Sequence, residues 1–119
     1  MTIEEIATQL VEHCRKGEFK KAQKELFADN AVSIEPEATP AFEKETKGLS
    51  AIMEKADKFD SMVEEMHSMD VSDPLVADNS FACTMTLDVT MKERGHMIMK
   101  ELCVYEVKDG KILKEEFFM

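Results

Sequence analysis

The segment LFADNAVSIEP, residues 26–36, decides the fold of this chain. Apolar residues at helical spacing precede it, and Asp29-Asn30 is a turn signal that predicts the end of that helix. Val32 and Ile34 then alternate with polar residues, as in a short half-buried strand. The segment therefore predicts a helix that turns into a strand and delivers a carboxylate at its end, which makes Glu35 the first candidate site residue.

Hydrophobic spacing predicts three helices before the middle of the chain. Thr2 and Glu5 have the spacing of a capping box, and the amphipathic pattern that follows them stops at Gly17. A second, shorter helix begins near Phe19, and a third follows Gly48. The apolar stripe of the third helix comprises Ile52, Met53, Ala56, Phe59 and Val63.

From about residue 63 the hydrophobic period changes from helical to two, which is typical of strands. KDGK at 108–111 is a hairpin signal between two of these segments. The predicted strands cover residues 66–71, 81–91, 97–107 and 112–118. Helices first and a meander last predict an α+β fold, in which three N-terminal helices pack against a curved antiparallel sheet. At 119 residues we expect a single domain over residues 1–119.

Composition excludes several classes of protein. The formal net charge is −10, from 25 acidic and 15 basic residues, and would repel a nucleic-acid backbone. The chain shows no apolar run of the ~18 residues that cross a membrane and no basic, then apolar, export signal at its start. Cys14, Cys83 and Cys103 make an odd set without paired spacing. We therefore expect a cytoplasmic protein with neither nucleic acid nor membrane as a partner.

Glu101 is the second candidate site residue. It falls on the strand face that carries Met97, Met99, Cys103 and Tyr105, where an unpaired, ionised carboxylate costs several kcal/mol. Glu101 must therefore be paired, protonated or in contact with water. A structural hydrogen bond or salt bridge explains Glu101 about as well as a functional role does. For Glu35 the alternative is a solvated glutamate at a strand end before Pro36.

His67 and Tyr105 complete the candidate set. His67 lies on an alternating segment and can reach the same face, where it would add a group that titrates near neutrality. Tyr105 is the single tyrosine and can donate a hydrogen bond to a carbonyl. The structural alternatives are an ordinary surface or core histidine and a core tyrosine. Cys103 has no adjacent base, so core packing explains it better than nucleophilic chemistry.

No cofactor or metal site is predicted. His13, His67 and His96 are far apart in sequence and lack the spacing of metal ligands, and no glycine-rich phosphate loop is present.

Ten methionines can line an adaptable apolar cavity, although many of them can equally be core. Ile98, Leu102 and Val104 lie on the opposite face from Glu101, so the second face also needs cover. This pattern favours a homodimer.

The order of these elements resembles the nuclear-transport-factor-2-like superfamily, and especially its SnoaL-like members, over nearly the whole chain. The residues that carry the resemblance are Gly17-Glu18-Phe19, LFADNA at 26–31, Lys47-Gly48 and VKDGKI at 107–112. The resemblance implies a cone-shaped fold around a mostly apolar cavity, and dimers that form through the outer sheet face. Its members include isomerases, polyketide cyclases, dehydratases and non-catalytic binders.

The resemblance also implies roles for the candidate residues. Ketosteroid isomerases place a general-base aspartate where Glu35 stands, whereas their oxyanion donors fall near Gln9 and Cys103 and are not matched. SnoaL-type cyclases use an acid that Glu35 or Glu101 would supply. We therefore expect a small apolar ligand and, for an enzyme, cofactor-free chemistry with Glu35 as base, Glu101 or Tyr105 as donor and His67 as a proton carrier. The alternative is a non-catalytic ligand-binding or protein-interaction dimer.

Overall fold

The computed structural model describes residues 1–119 and contains three helices and seven strands. The capping box forms as predicted: the Glu5 backbone N–H donates to Thr2 Oγ1 at 3.2 Å, and the Thr2 N–H donates to Glu5 Oε1 at 2.9 Å. None of the helices reaches the length and hydrophobicity that a membrane crossing requires. The elements are α1 (Ile3–Arg15), α2 (Phe19–Leu26), β1 (Phe27–Ile34), β2 (Glu45–Lys47), α3 (Leu49–Met62), β3 (Val63–Val71), β4 (Leu75–Val76), β5 (Ser80–Met91), β6 (Gly95–Lys108) and β7 (Lys111–Phe118).

The strands form one curved, unclosed sheet in the order β2-β1-β7-β6-β5-β3, with β4 paired to β5. The predicted α+β cone is confirmed. The sheet is mixed and not purely antiparallel as predicted, because β1 and β7 run parallel. Hairpins enforce antiparallel pairing only between strands that they join, and β1 is separated from β7 by most of the chain.

In the segment at residues 26–36 the helix passes into the strand without the intervening turn that the sequence predicted. Helix α2 ends at Leu26 and β1 begins at Phe27, so Asp29 and Asn30 lie within the strand and do not form the predicted turn. The β1–β7 ladder is irregular between Phe27 and Val32, where these two exposed residues lie. The irregularity accommodates polar residues that a regular ladder disfavours.

Strand parity separates an inner from an outer sheet face. The odd-numbered residues of β5 are buried from Phe81 to Met91, whereas the even-numbered ones are not. The β5–β6 ladder is unbroken from the Ser80–Glu106 pair to the Met91–Gly95 pair, so the odd residues of β6 share the inner face. We call the face that carries the even-numbered residues of β5 and β6 the outer face.

Candidate functional site

A cavity of about 580 Å³ lies between the helices and the inner face of the sheet. Of its 28 lining residues 20 are hydrophobic, so a ligand here would contact mainly apolar surface. The phenylalanine and methionine side chains of the lining are Phe19, Phe27, Phe42, Phe59, Met62, Met85, Met91, Met97, Met99, Phe117 and Met119. The polar and charged lining includes Gln23, Glu35, Lys55, Glu101, Tyr105 and Glu115.

Glu101 enters this cavity from the middle of β6. Its strand partner is Met85, whose side chain also lines the cavity. The Glu101 carboxyl makes no hydrogen bond or ion pair with another side chain or with the backbone. Burial, together with the nearby carboxylates of Glu35 and Glu115, raises its pKa to about 7 against the opposing charge of Lys55. Both protonation states are therefore accessible near neutral pH.

A second carboxylate, Glu35, is held in an ion pair. Lys55 Nζ, from α3, lies 3.0 Å from Glu35 Oε2, at the end of β1. The side chains of both residues are largely shielded, with 15% of Lys55 and 27% of Glu35 exposed. Removing either partner would leave the other charge shielded and unpaired, and Lys55 fixes the position of Glu35.

The same lysine connects to a third carboxyl, Glu115, through Ser33. Lys55 Nζ donates to Ser33 Oγ at 2.6 Å, and Ser33 Oγ donates to Glu115 Oε2 at 2.7 Å. Ser33 and Glu115 are direct partners in the parallel β1–β7 ladder and are the two buried polar residues of the protein. Burial raises the pKa of Glu115 to about 7, although Ser33 and Lys55 act in the opposite direction.

Tyr105 lies at the wall of the cavity. Its ring stacks on Phe81, with the centroids 4.8 Å apart and the planes 19° apart. The hydroxyl has no hydrogen-bond partner within the protein. Burial raises the pKa of Tyr105 well above its ordinary value, so the hydroxyl remains a proton-bearing donor at neutral pH.

His67 does not belong to this site, contrary to the expectation that it reaches the cavity. Its ring lies on the outer face, where Nε2 is 2.7 Å from Thr90 Oγ1 and Nδ1 is 2.8 Å from Glu65 Oε2. A bulge between Met66 and Ser68 inserts one extra residue opposite β5. Because the bulge breaks the alternation, His67 faces outward although Val71, at the same parity, is buried.

The sequence analysis missed Gln23, Lys55 and Glu115, which line the cavity, and Ser33, which connects Lys55 to Glu115. Lys55 had a detectable signal, because it lies three residues after Ile52 and four before Phe59, within the apolar stripe of α3. Glu115 had one as well, since it shares strand parity with Phe117. Gln23 carries a buried Oε1 without a hydrogen-bond partner, which no sequence pattern indicates.

The cavity carboxyls do not form a cluster of metal ligands. The one group of three histidine, cysteine or acidic side chains whose ligand atoms lie close enough for a single ion is outside the cavity. The polar chemistry of the cavity is therefore that of acids, a tyrosine hydroxyl and cationic groups, among which Lys55 is the one hydrogen-bonded to a cavity carboxylate.

Comparisons with known proteins agree with this architecture. The model of the SnoaL-like domain family matches residues 1–119. A crystal structure from Mesorhizobium loti, provisionally described as a SnoaL-like polyketide cyclase, is 32% identical with a TM-score of 0.92, and 100% of both chains is covered. The chain therefore belongs to the SnoaL-like domain family. Among curated protein sequences, none matches it significantly.

Two more distant structures share the fold. A provisionally described isomerase from Bacillus subtilis is 21% identical with a TM-score of 0.76, covering 98% of this chain and 88% of the isomerase. TerC, co-crystallised with polyporic acid, is 14% identical with a TM-score of 0.77, covering 97% of this chain and 88% of TerC. At these identities the likeness shows a common fold.

Proposed function

We propose that this SnoaL-like protein binds a small, largely apolar molecule with a carbonyl or hydroxyl group and catalyses a cofactor-free proton transfer on it. The reaction class is an isomerisation, cyclisation or dehydration that passes through an enol or enolate. One observation carries the proposal: Glu101 presents an unpartnered carboxyl, with a pKa of about 7, to an apolar cavity.

Glu101 is the proposed general base, and this replaces the assignment of that role to Glu35. A general acid or base is most effective when its pKa lies near the operating pH, which the pKa of about 7 satisfies. The Glu35 carboxylate instead forms an ion pair with the Lys55 ammonium group, at 3.0 Å. In this proposal Glu35 and Lys55 act indirectly, because their charges shift the pKa of Glu101 in opposite directions.

In the proposed step, the Glu101 carboxylate removes a proton from the carbon next to a substrate carbonyl. The electron pair of the broken C–H bond moves onto the carbonyl oxygen, and the protonated Glu101 returns the proton at another carbon or at a leaving hydroxyl. Tyr105 donates a hydrogen bond to the oxygen on which negative charge develops. A positioned donor in a site with little water stabilises such charge.

Gln23 supports a ligand that also carries a hydrogen-bond donor. A buried acceptor without a partner costs roughly 1–3 kcal/mol, and a ligand hydroxyl that donates to Gln23 Oε1 would recover this energy. The polyporic acid of the TerC complex is in keeping with a small organic ligand in this fold.

The test follows proton exchange at the carbon next to the carbonyl in a panel of cyclic ketones, by NMR in D₂O. We expect Glu101→Gln to abolish the exchange of any ketone that the wild-type protein accelerates. Glu12→Gln, which changes an exposed glutamate of α1, is the matched control and should leave the rate unchanged. Equal rates for Glu101→Gln and the wild type would remove Glu101 from the mechanism.

A non-catalytic binding protein is the second candidate, favoured by the hydrogen bonds that Ser33, Lys55 and Glu115 already make to one another. Polyporic acid is the probe: if it binds to both the wild type and Glu101→Gln and the wild type exchanges no ketone proton, the second candidate is correct.

We also propose a cytoplasmic homodimer that buries the part of the outer face around Leu102 and Phe118. Three apolar residues of this face are well exposed: Ile98 at 56%, Leu102 at 42% and Phe118 at 44%. Leu102 and Phe118 are direct partners in the β6–β7 ladder, so they form one patch that a second copy can cover. The free thiols of the three cysteines fit a reducing compartment.

A further inference from the structure

We propose that His67, Asp88 and His96 form a binding site for one Zn²⁺ ion on the outer face of the sheet, separate from the cavity. The three side chains come from the adjacent strands β3, β5 and β6, and one ligand atom from each lies within 4.8 Å of the others. Two imidazoles and one carboxylate are a ligand set that zinc accepts, and water can take the fourth position.

Strand register brings these residues together. Thr90 is paired with His96 on one side and with Glu65 on the other, and Asp88 lies two residues before Thr90 on the same face. The bulge between Met66 and Ser68 turns His67 onto this face as well. Bulges of this kind commonly re-aim a side chain next to a functional site.

The side-chain contacts bring imidazole nitrogens and a carboxylate oxygen close together, and these are the atoms that bind zinc. His96 Nε2 lies 2.5 Å from Asp88 Oδ1, so a bound Zn²⁺ would replace the proton that these two atoms share. The rings of His67 and His96 meet edge to face, with centroids 5.6 Å apart, so the two imidazoles are direct neighbours. Ligand atoms about 2.0 Å from a tetrahedral zinc are roughly 3.3 Å from one another, so small side-chain rotations suffice.

Glu65 adds an independent feature of metal sites. Its Oε2 lies 2.8 Å from Nδ1 of His67, so Nε2 of that ring is the ligand atom, and a bound ion would replace its present contact with Thr90 Oγ1 at 2.7 Å. A carboxylate on the second nitrogen fixes the orientation of a metal-binding histidine and raises its basicity. Because β3 is the edge strand, a zinc ion here would tie it to β5 and β6.

The first test titrates Zn²⁺ into the metal-free chain in competition with a chromophoric chelator. We expect one Zn²⁺ per chain in the wild type. Glu65→Gln should weaken binding roughly 10–100-fold, the usual effect of losing a group that orients a ligand, and His96→Ala and Asp88→Asn should weaken it further. His13→Ala is the matched control, because His13 pairs with Glu25 elsewhere, and it should bind like the wild type.

A second measurement distinguishes this site from binding to thiols. Cobalt(II) in the wild type should show the visible bands of a tetrahedral site without the ultraviolet band of a cobalt–thiolate bond, since all three cysteines are buried. The proposal is overturned by a wild type that does not bind Zn²⁺, by a stoichiometry below one ion per chain, by a thiolate band, or by equal affinity of His96→Ala and the wild type. The substituted side chains are exposed or half-buried, and circular dichroism would verify that each variant is folded.

Discussion

Lys55 Nζ lies 3.0 Å from Glu35 Oε2 and donates a hydrogen bond to it. Glu35 is one of three glutamates that line the cavity, and the others are Glu101 and Glu115. The Lys55 ammonium group also lowers the pKa of Glu101 and of Glu115, against the effect of burial. The protonation of Glu101 and Glu115 therefore depends in part on this lysine, whose position in the apolar stripe of α3 the sequence analysis did not interpret.

We predict that Lys55→Met raises the pKa of Glu101 above about 7 and lowers the free energy of unfolding by about 1–3 kcal/mol at pH 8. The reason is that Glu35 and Ser33 lose their partner while the nearby carboxyls still repel one another. Carboxyl NMR titration and urea denaturation would measure the two effects.

Lys20→Met is the control for this variant, because Lys20 forms an exposed ion pair with Asp57 at 2.7 Å. It should change the free energy of unfolding by less than about 1 kcal/mol. An unchanged titration of Glu101 in Lys55→Met would contradict the proposed electrostatic coupling.

A second prediction concerns the dependence of stability on pH. The pKa values of Glu101 and Glu115 are about 7 in the folded protein against an ordinary value of 4.5, so between these pH values the folded state holds more protons than the unfolded state. Stability contributed by these groups is therefore fully present below pH 4.5 and is lost as the pH rises through about 7.

The loss is on the order of 3 kcal/mol for each group at most, and less for Glu101, whose side chain is partly exposed. Urea denaturation at pH 5, 6, 7 and 8 would measure it. The double variant Glu101→Gln/Glu115→Gln should show a flatter profile and exceed the wild type in stability at pH 8. A wild-type stability that climbs steadily from pH 5 to pH 8 would refute this account.

Gln23 gives a third prediction, in which stability and binding change in opposite directions. Gln23→Leu removes a buried acceptor without a partner, so the free energy of unfolding should rise by about 1 kcal/mol. The same change should weaken ligands that donate a hydrogen bond at this position, as polyporic acid titration would test. Gln9→Leu, at the other glutamine, should alter stability by no more than about 0.5 kcal/mol. Reduced stability of Gln23→Leu would indicate a hydrogen-bonding role for its amide.

Particular residues show how far the sequence predicts the site. Parity placed Glu101 on the inner face because the β5–β6 ladder has no bulge, so counting by two remains valid along the whole strand pair. The same counting failed for His67, because a single inserted residue in β3 reverses its direction. Each bulge in β3 widens the spacing of apolar residues from two to three, between Val63 and Met66 and between Met66 and Met69, and such spacing alone does not identify a bulge.

Long-range pairing sets the second limit. Ser33 and Glu115 are 82 positions apart, and only the parallel β1–β7 ladder makes them neighbours. The three outer-face residues of the proposed zinc site likewise lack the close spacing that reveals ligands in a sequence. Local patterns determine which face a residue occupies, whereas strand order determines which residues meet.

The final prediction concerns the outer face and the proposed homodimer. Leu102 is 42% exposed and is paired with Phe118, so Leu102→Glu places a charge in the middle of the apolar patch. We expect this variant to be monomeric by analytical ultracentrifugation at a concentration where the wild type is a dimer. Burying an unpaired charge at an interface costs several kcal/mol, and each 1.4 kcal/mol weakens association tenfold. Thr8→Glu is the control, because it adds the same charge at an exposed position of α1 and should leave the mass at that of a dimer. A wild type that sediments as a monomer would reject the dimer, and a Leu102→Glu variant that remains dimeric would place the interface elsewhere on the protein.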